Sequence, residues 1–173
     1  MSKRAWWFAF AVAVQVLILI AVPAQKMYTR VFGRTVVLQV APVDPYSLLS
    51  GYYVTLGYAI SPTAAFPNQA EPGHEGTVYA VIEQGVDGVW KPVRLDETLP
   101  RLLPPNQAAI RGHIRYGRIE YGIEEFYIPE SKRTVLADDL RQHTDAARAE
   151  VKVDARGNVA LVRLRIEDRV YED

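Results

Sequence analysis

The chain has no cysteine among its 173 residues, which removes a disulfide framework, thiolate catalysis, Cys-based zinc sites and iron–sulfur ligation together. It also lacks an excess of charge: 20 Lys plus Arg balance 20 Asp plus Glu, so there is no electrostatic footprint for nucleic acid, and none is expected as a partner. Histidine is scarce. The three present, His74, His113 and His143, show no HxH, HxxxH or HExxH spacing, so a metal site would need ligands from distant segments. No GxSxG, P-loop or GxGxxG occurs, which leaves serine-elbow hydrolase, nucleotide triphosphatase and dinucleotide-binding readings without support. Neither a cofactor nor a catalytic residue is assigned. With 49% apolar and 23% charged residues, the composition is that of a folding chain.

What is present is unevenly distributed. Trp6 to Val22 is a charge-free run interrupted only by the polar Gln15. At about 1.5 Å of rise per residue it sits at the short end of what crosses an apolar layer about 30 Å thick. Trp6 and Trp7 stand at its start, where indoles suit a membrane interface, with Lys3 and Arg4 before them. Two readings fit residues 1–24: a retained transmembrane anchor touching lipid through residues 6–22, or a signal peptide cut after Ala24, where Val22-Pro23-Ala24 supplies small residues. The run exceeds the usual signal core, so the anchor is the expectation. Basic residues tie across the two flanks. An export-like position early in the chain points to a cytoplasmic N-terminus, with the rest of the chain outside the cytoplasmic membrane. Residues 25–34 then read as a short juxtamembrane connector and 35–173 as the extracytoplasmic domain; from position 25 onward the chain, connector included, carries 18 basic and 20 acidic residues.

From Thr35 onward the apolar pattern has period two, bounded by Gly, Pro, Asn and Asp. Strands are expected at Thr35–Val43, Tyr52–Ile60, Thr77–Gln84, Val89–Leu95, Ala108–Tyr116, Ile119–Ile128, Arg148–Asp154 and Val159–Glu167. The fold class is therefore mainly β (α+β), an antiparallel, hairpin-rich sheet forming a sandwich or partly open barrel. Gly85–Gly88 and Asp154–Asn158 read as hairpin loops, and Ser61–Gly76, with three prolines, as a long exposed loop. One short helix is expected from Glu130 or Ser131 to His143, capped by Ser131, with Val135, Leu136, Asp139 and Leu140 as its inner stripe.

Taking Gly117-Arg118 as the centre of a type II′ turn pairs Tyr116 with Ile119, Arg115 with Glu120, Ile114 with Tyr121 and Arg111 with Glu124. Gly112, Ile114, Tyr116, Ile119, Tyr121 and Ile123 then share one face, and Arg111, His113, Arg115, Glu120 and Glu124 the other. That pairing would neutralise the arginines and leave no phosphate site. Tyr52, Val54, Leu56, Tyr58 and Ile60 similarly share a face.

The stretch Asp44-Pro45-Tyr46-Ser47-Leu48-Leu49-Ser50-Gly51-Tyr52-Tyr53-Val54-Thr55-Leu56-Gly57-Tyr58 resembles the signature of the GDYXXLXY family of membrane-anchored bacterial proteins. Asp44, Pro45, Leu49, Gly51, Tyr53, Val54, Leu56 and Tyr58 carry the likeness. Tyr121-Gly122-Ile123-Glu124-Glu125-Phe126-Tyr127-Ile128-Pro129-Glu130 is similar to the family's other shared block, through Tyr121, Gly122, Ile123, Glu124, Pro129 and Glu130, and the closing Arg-Gly-Asn turn is also similar. The likeness runs from Val36 to Asp168. Tyr52 stands where the family signature has Asp. The resemblance implies a membrane-anchored, β-rich protein accompanying a polytopic membrane protein, and it implies no reaction. Asp44-Pro45 with Ser47–Gly51 reads as a helical turn closed by glycine, capped by Asp44.

Two functions follow as expectations. The first is a non-enzymatic accessory or scaffold subunit that contacts a polytopic membrane protein. The alternative is an extracytoplasmic enzyme or ligand-binding domain acting on envelope carbohydrate or a small molecule through Glu124, Glu125 and Tyr127, since paired carboxylates about 5 to 9.5 Å apart suit glycoside hydrolysis.

Overall fold

A computed structural model of the chain describes residues 3–42, 49–50, 53–68, 75–127 and 129–172. The N-terminal helix α1 spans Lys3–Phe32 and is followed, after Gly33 alone, by β1 (Arg34–Ala41). Next come β2 (Leu49–Ser50), β3 (Tyr53–Thr55), β4 (Gly57–Tyr58), β5 (Gly76–Gln84), β6 (Trp90–Asp96), β7 (Gln107–Arg115), β8 (Arg118–Glu120) and β9 (Glu125–Tyr127). Helix α2 (Glu130–His143) leads into β10 (Ala147–Val153), β11 (Val159–Ile166) and β12 (Arg169–Glu172). All pairings are antiparallel, in a five-stranded sheet β12-β11-β10-β1-β4, a four-stranded sheet β6-β5-β7-β8 and a three-stranded sheet β2-β3-β9. Buried side chains from all three sheets, together with Leu136 and Leu140 of α2, form a single core. The fold is mainly β with two helices, and the described strands close no barrel.

Helix α1 is longer than the apolar run that predicts it. Trp6–Phe32 is 27 residues long and apolar enough to cross a membrane, and the expected connector 25–34 is helical through Phe32. The reason lies in docking. Thr29 is 1% exposed, and its hydroxyl, which also bonds the Gln25 carbonyl, donates to the Asp154 carboxylate at 2.9 Å. Gly33 ends the helix with its N–H on the Thr29 carbonyl. A Cβ there would sit 2.9 Å from the Lys152 Cβ, so glycine permits the close approach of helix to sheet. Gln25, Thr29 and Gly33 recur every four residues and so share one face, while Met27, Tyr28, Val31 and Phe32 remain exposed.

Two expected strands each break in the middle. Within Tyr52–Ile60 the chain leaves β9 after Thr55 and joins β1 at Gly57. Within Ile119–Ile128 it turns at Gly122, whose φ of +77° suits glycine. Period two survives the first break, because Val54, Leu56, Tyr58 and Ile60 are all buried, whereas after the second it changes parity, the buried Ile119, Tyr121 and Ile123 being followed by the buried Phe126. Two further strands are additions: β12, reached by a tight turn at Glu167-Asp168, and β2, where Leu49 and Ser50 pair with Val54 and Tyr53 as extended chain rather than a helical turn. The Asp44 cap, Pro45, Gly51 and Tyr52 lie outside the described residues.

The β7–β8 hairpin corrects the expected register. Its central residues are Tyr116 and Gly117, with φ of 50° and 72°, the signature of a type I′ turn, whose twist matches the flanking strands. Ile114 therefore faces Ile119, and His113 faces Glu120. A shift of two residues preserves the faces but replaces the partners, and Tyr116, now in the turn, is 89% exposed. Residues before the loop fix this register: the Ile119 N–H bonds the Ser61 carbonyl and the Thr63 N–H bonds the Gly117 carbonyl. The first half of the supposed exposed loop is accordingly packed, with Phe66 1% exposed and the Asn68 amide bonded to both the N–H and the carbonyl of Leu95.

Helix α2 has the expected span but no side-chain cap, Pro129 standing at its N-cap. Val135 faces solvent, and the inner stripe is Leu136, Ala137 and Leu140. Asp139 ties it to β12, accepting the Tyr171 hydroxyl at 2.5 Å and Arg169 at 2.7 Å.

Gly33→Ala is expected to lower stability by about 1–3 kcal/mol, the usual cost of overpacking, read as the denaturant midpoint of the full-length protein. An unchanged midpoint would contradict the close helix-to-sheet approach.

Candidate functional site

The two shared blocks meet in space and hold each other. Tyr53, Val54 and Thr55 pair with Tyr127, Phe126 and Glu125, and the Leu56 N–H bonds the Glu124 carbonyl at 2.7 Å. From the first block, the Tyr58 hydroxyl crosses to the Ile123 carbonyl at 2.6 Å. From the second, the Tyr121 hydroxyl crosses to the Ile60 carbonyl at 2.6 Å. Burial first, and then the Glu124 charge, push both phenols well above their ordinary value, so they persist as neutral donors. Glu124 is itself occupied: its carboxylate accepts the N–H groups of Tyr121 at 2.6 Å and Gly122 at 2.8 Å, closing the turn that Gly122 makes. Leu49 enters through its strand pairing, Ile123 is buried, Pro129 is exposed at the start of α2, and Glu130 opens that helix.

The structure thus brings together Tyr53, Val54, Leu56, Tyr58, Tyr121, Gly122, Ile123 and Glu124 as a reciprocal clasp, which is an architectural role. The expected Arg111–Glu124 pair is absent, since Glu124 turns to backbone amides, whereas Arg115 does reach Glu120 at 3.7 Å. Glu125 accepts the Tyr127 hydroxyl at 2.9 Å, and the rings of Tyr53 and Tyr127 lie 5.8 Å apart.

Over this clasp runs an open groove of about 1300 Å³. One wall is α1, through Gln25, Lys26 and Thr29; the other is the exposed face of β7 and β8, with Arg111, Arg115 and Arg118. Tyr53, Glu125 and Tyr127 also line it. His113 lines it, and no set of three His, Asp or Glu side chains gathers as a metal site among the described residues.

Asp154, at the tip of the β10–β11 hairpin, is the residue that pattern reasoning passed over. It accepts Thr29 of α1, the Asn158 amide and the N–H groups of Arg156 and Asn158, while the Gly157 carbonyl takes the Arg111 N–H of β7. Desolvation would raise its carboxyl, but the bonds from Asn158, Thr29 and the two backbone N–H groups outweigh it and hold the group below the usual carboxylate range. The signal was legible: Asp opening an Asp-Ala-Arg-Gly-Asn turn is a side chain able to bond its own turn, and Thr29 is the hydroxyl-bearing member of the Gln25, Thr29, Gly33 stripe.

Tyr58→Phe and Tyr121→Phe each orphan a buried carbonyl and are expected to cost about 1–3 kcal/mol. In a double-mutant cycle by chemical denaturation they should couple by more than about 0.5 kcal/mol; simple additivity would refute the clasp. Because the folded Asp154 carboxyl lies below its unfolded value of about 3.9, its contribution is complete above that pH and disappears as pH falls through the folded value. Denaturant midpoints should therefore fall in acid for the wild type and fall less for Asp154→Asn. Parallel acid limbs would contradict this.

No curated protein and no solved structure matches the sequence. Over residues 15–164, which include α1 from Gln15, both blocks and the Arg-Gly-Asn turn, it matches the family described as GDYXXLXY protein, a domain of unknown function. The chain belongs to the GDYXXLXY family.

Proposed function

We propose that this protein is a single-pass, membrane-anchored subunit, with its β domain on the extracytoplasmic side, that works by contact with a polytopic membrane protein in the same bilayer. The observation that carries this reading is the union of helix and domain. α1 is long and apolar enough to cross a membrane, runs unbroken to Phe32 and is fastened to the domain through Thr29 and Asp154. A domain fixed at the membrane surface presents its groove to whatever stands beside it in the bilayer. The exposed tyrosines Tyr116 and Tyr127 are contact material, since the ring buries area while the hydroxyl stays wet. The alternative, an enzyme or binding domain for carbohydrate or a small molecule, relies on Glu124 and Glu125; two backbone amides hold the first and Tyr127 engages the second.

Photo-cross-linkers placed at Tyr116 and Tyr127 in intact cells, followed by mild-detergent purification through a C-terminal tag, test the proposal. One polytopic protein recovered in stoichiometric amount and cross-linked from both positions is expected. Recovery of the protein alone, with its N-terminus at Gln25, would overturn it.

A further inference from the structure

The hairpin register that separates Glu124 from Arg111 changes the electrostatics of the groove. Of its three carboxylates, Glu120 pairs with Arg115, Glu124 holds two backbone amides and Glu125 accepts Tyr127. Lys26, Arg111 and Arg118 line the same groove with no carboxylate paired to any of them among the described residues. Three cations thus face one cavity while the acids around them are occupied.

Depth along α1 says where this cavity stands. From Trp6 to Gln25 the helix rises about 29 Å, the thickness of the hydrocarbon layer. The polar headgroup layer adds about 5–8 Å on each side, which is the height of about four or five further residues. Those residues are 25–29, and the groove's α1 wall is Gln25, Lys26 and Thr29. Aromatic residues mark both ends of the span, Trp6 and Trp7 at one, and Tyr28 with Phe32, ring centroids 5.0 Å apart, at the other. The side chains of Tyr28 and Phe32 are exposed, as interface anchors are.

We infer that the groove between α1 and the β7–β8 hairpin binds the anionic headgroup of a phospholipid from the surrounding bilayer, through Lys26, Arg111 and Arg118. The inference rests on α1 being the retained anchor. Charge complementarity selects the occupant: unpaired guanidinium and ammonium groups at the level of the lipid phosphates meet a layer of phosphodiesters, and Arg offers a fork suited to phosphate oxygens. The chain beyond position 24 carries 18 basic and 20 acidic residues, so general adhesion to an anionic surface is not favoured and the attraction is confined to the groove.

The test uses the full-length protein in mild detergent, with lipid retention measured by native mass spectrometry during titration with phosphatidylglycerol or with phosphatidylcholine. Each basic residue near an anionic surface contributes a preference of about fivefold. Wild type should hold phosphatidylglycerol several-fold more tightly than phosphatidylcholine, and Arg111→Gln with Arg118→Gln should lose most of that preference while keeping the wild-type melting temperature. Arg101→Gln, an exposed arginine outside the groove, should leave the preference unchanged. Equal retention of the two lipids by wild type, or an equal loss in the Arg101 variant, overturns the inference. Displacement of phosphatidylglycerol by inorganic phosphate alone would also overturn it, naming a free phosphate as the ligand instead. An intact mass beginning at Gln25, read before lipid is added, identifies failure of the anchor itself.

Discussion

The fastening of α1 to the β domain depends on the carboxylate of Asp154. It stands where three parts converge: the hairpin β10–β11 that it closes, the helix α1 that reaches it through Thr29, and the strand β7 that takes the adjacent Gly157 carbonyl. A partly buried carboxylate is costly unless hydrogen-bonded, and here four donors satisfy it. The same bonds that stabilise the charge therefore set the position of a helix long and apolar enough to cross a membrane against a β domain. Gly33 completes the constraint, because the chain turns from helix to strand within one residue and admits no Cβ while doing so.

The clasp of the two shared blocks acts at the next level. Tyr58 donates to the backbone of the second block and Tyr121 to Ile60, just past the end of the first, so the two segments satisfy each other. Glu124 gives up its carboxylate to the turn at Gly122. Such residues are the ones a motif search finds first, and their role is to hold a corner where the chain passes from one sheet to another. The groove above them is lined by side chains outside the motif as much as within it, with Lys26, Arg111 and Arg118 among them. The basic lining of the groove is thus separable from the motif residues.

The apolar alternation exposed most of the sheet to sequence reasoning, because burial on one face enforces period two. β1, β5, β6, β7, β10 and β11 all fall within one or two residues of expectation. Alternation reports faces but is blind to sheet exchange, which is why the breaks at Leu56 and Gly122 went unseen. It is equally blind to a register shift of two residues, so the β7–β8 faces came out correctly while the Arg111–Glu124 pair did not. Opposite charges at plausible spacing looked like a self-neutralised patch; backbone amides competed for Glu124 and won. The continuation of α1 past Ala24 was hidden for a different reason. Lys26 and Arg30 end the charge-free run, whereas the next turns are helical where they dock on the domain, with Thr29 bonded to Asp154.

The central claim is that α1 and the β domain move as one body, held at Asp154. The absence of native cysteine makes this directly measurable, since spin labels can be attached solely at introduced sites. Labels at Phe10→Cys in α1 and Val86→Cys in the β5–β6 loop, both exposed positions, report the separation of helix and domain by pulsed electron resonance in lipid bilayers. The account predicts one narrow distance distribution that broadens when Thr29→Val is added. A broad distribution in the unaltered background would contradict it, and would mean a domain swinging freely on its anchor.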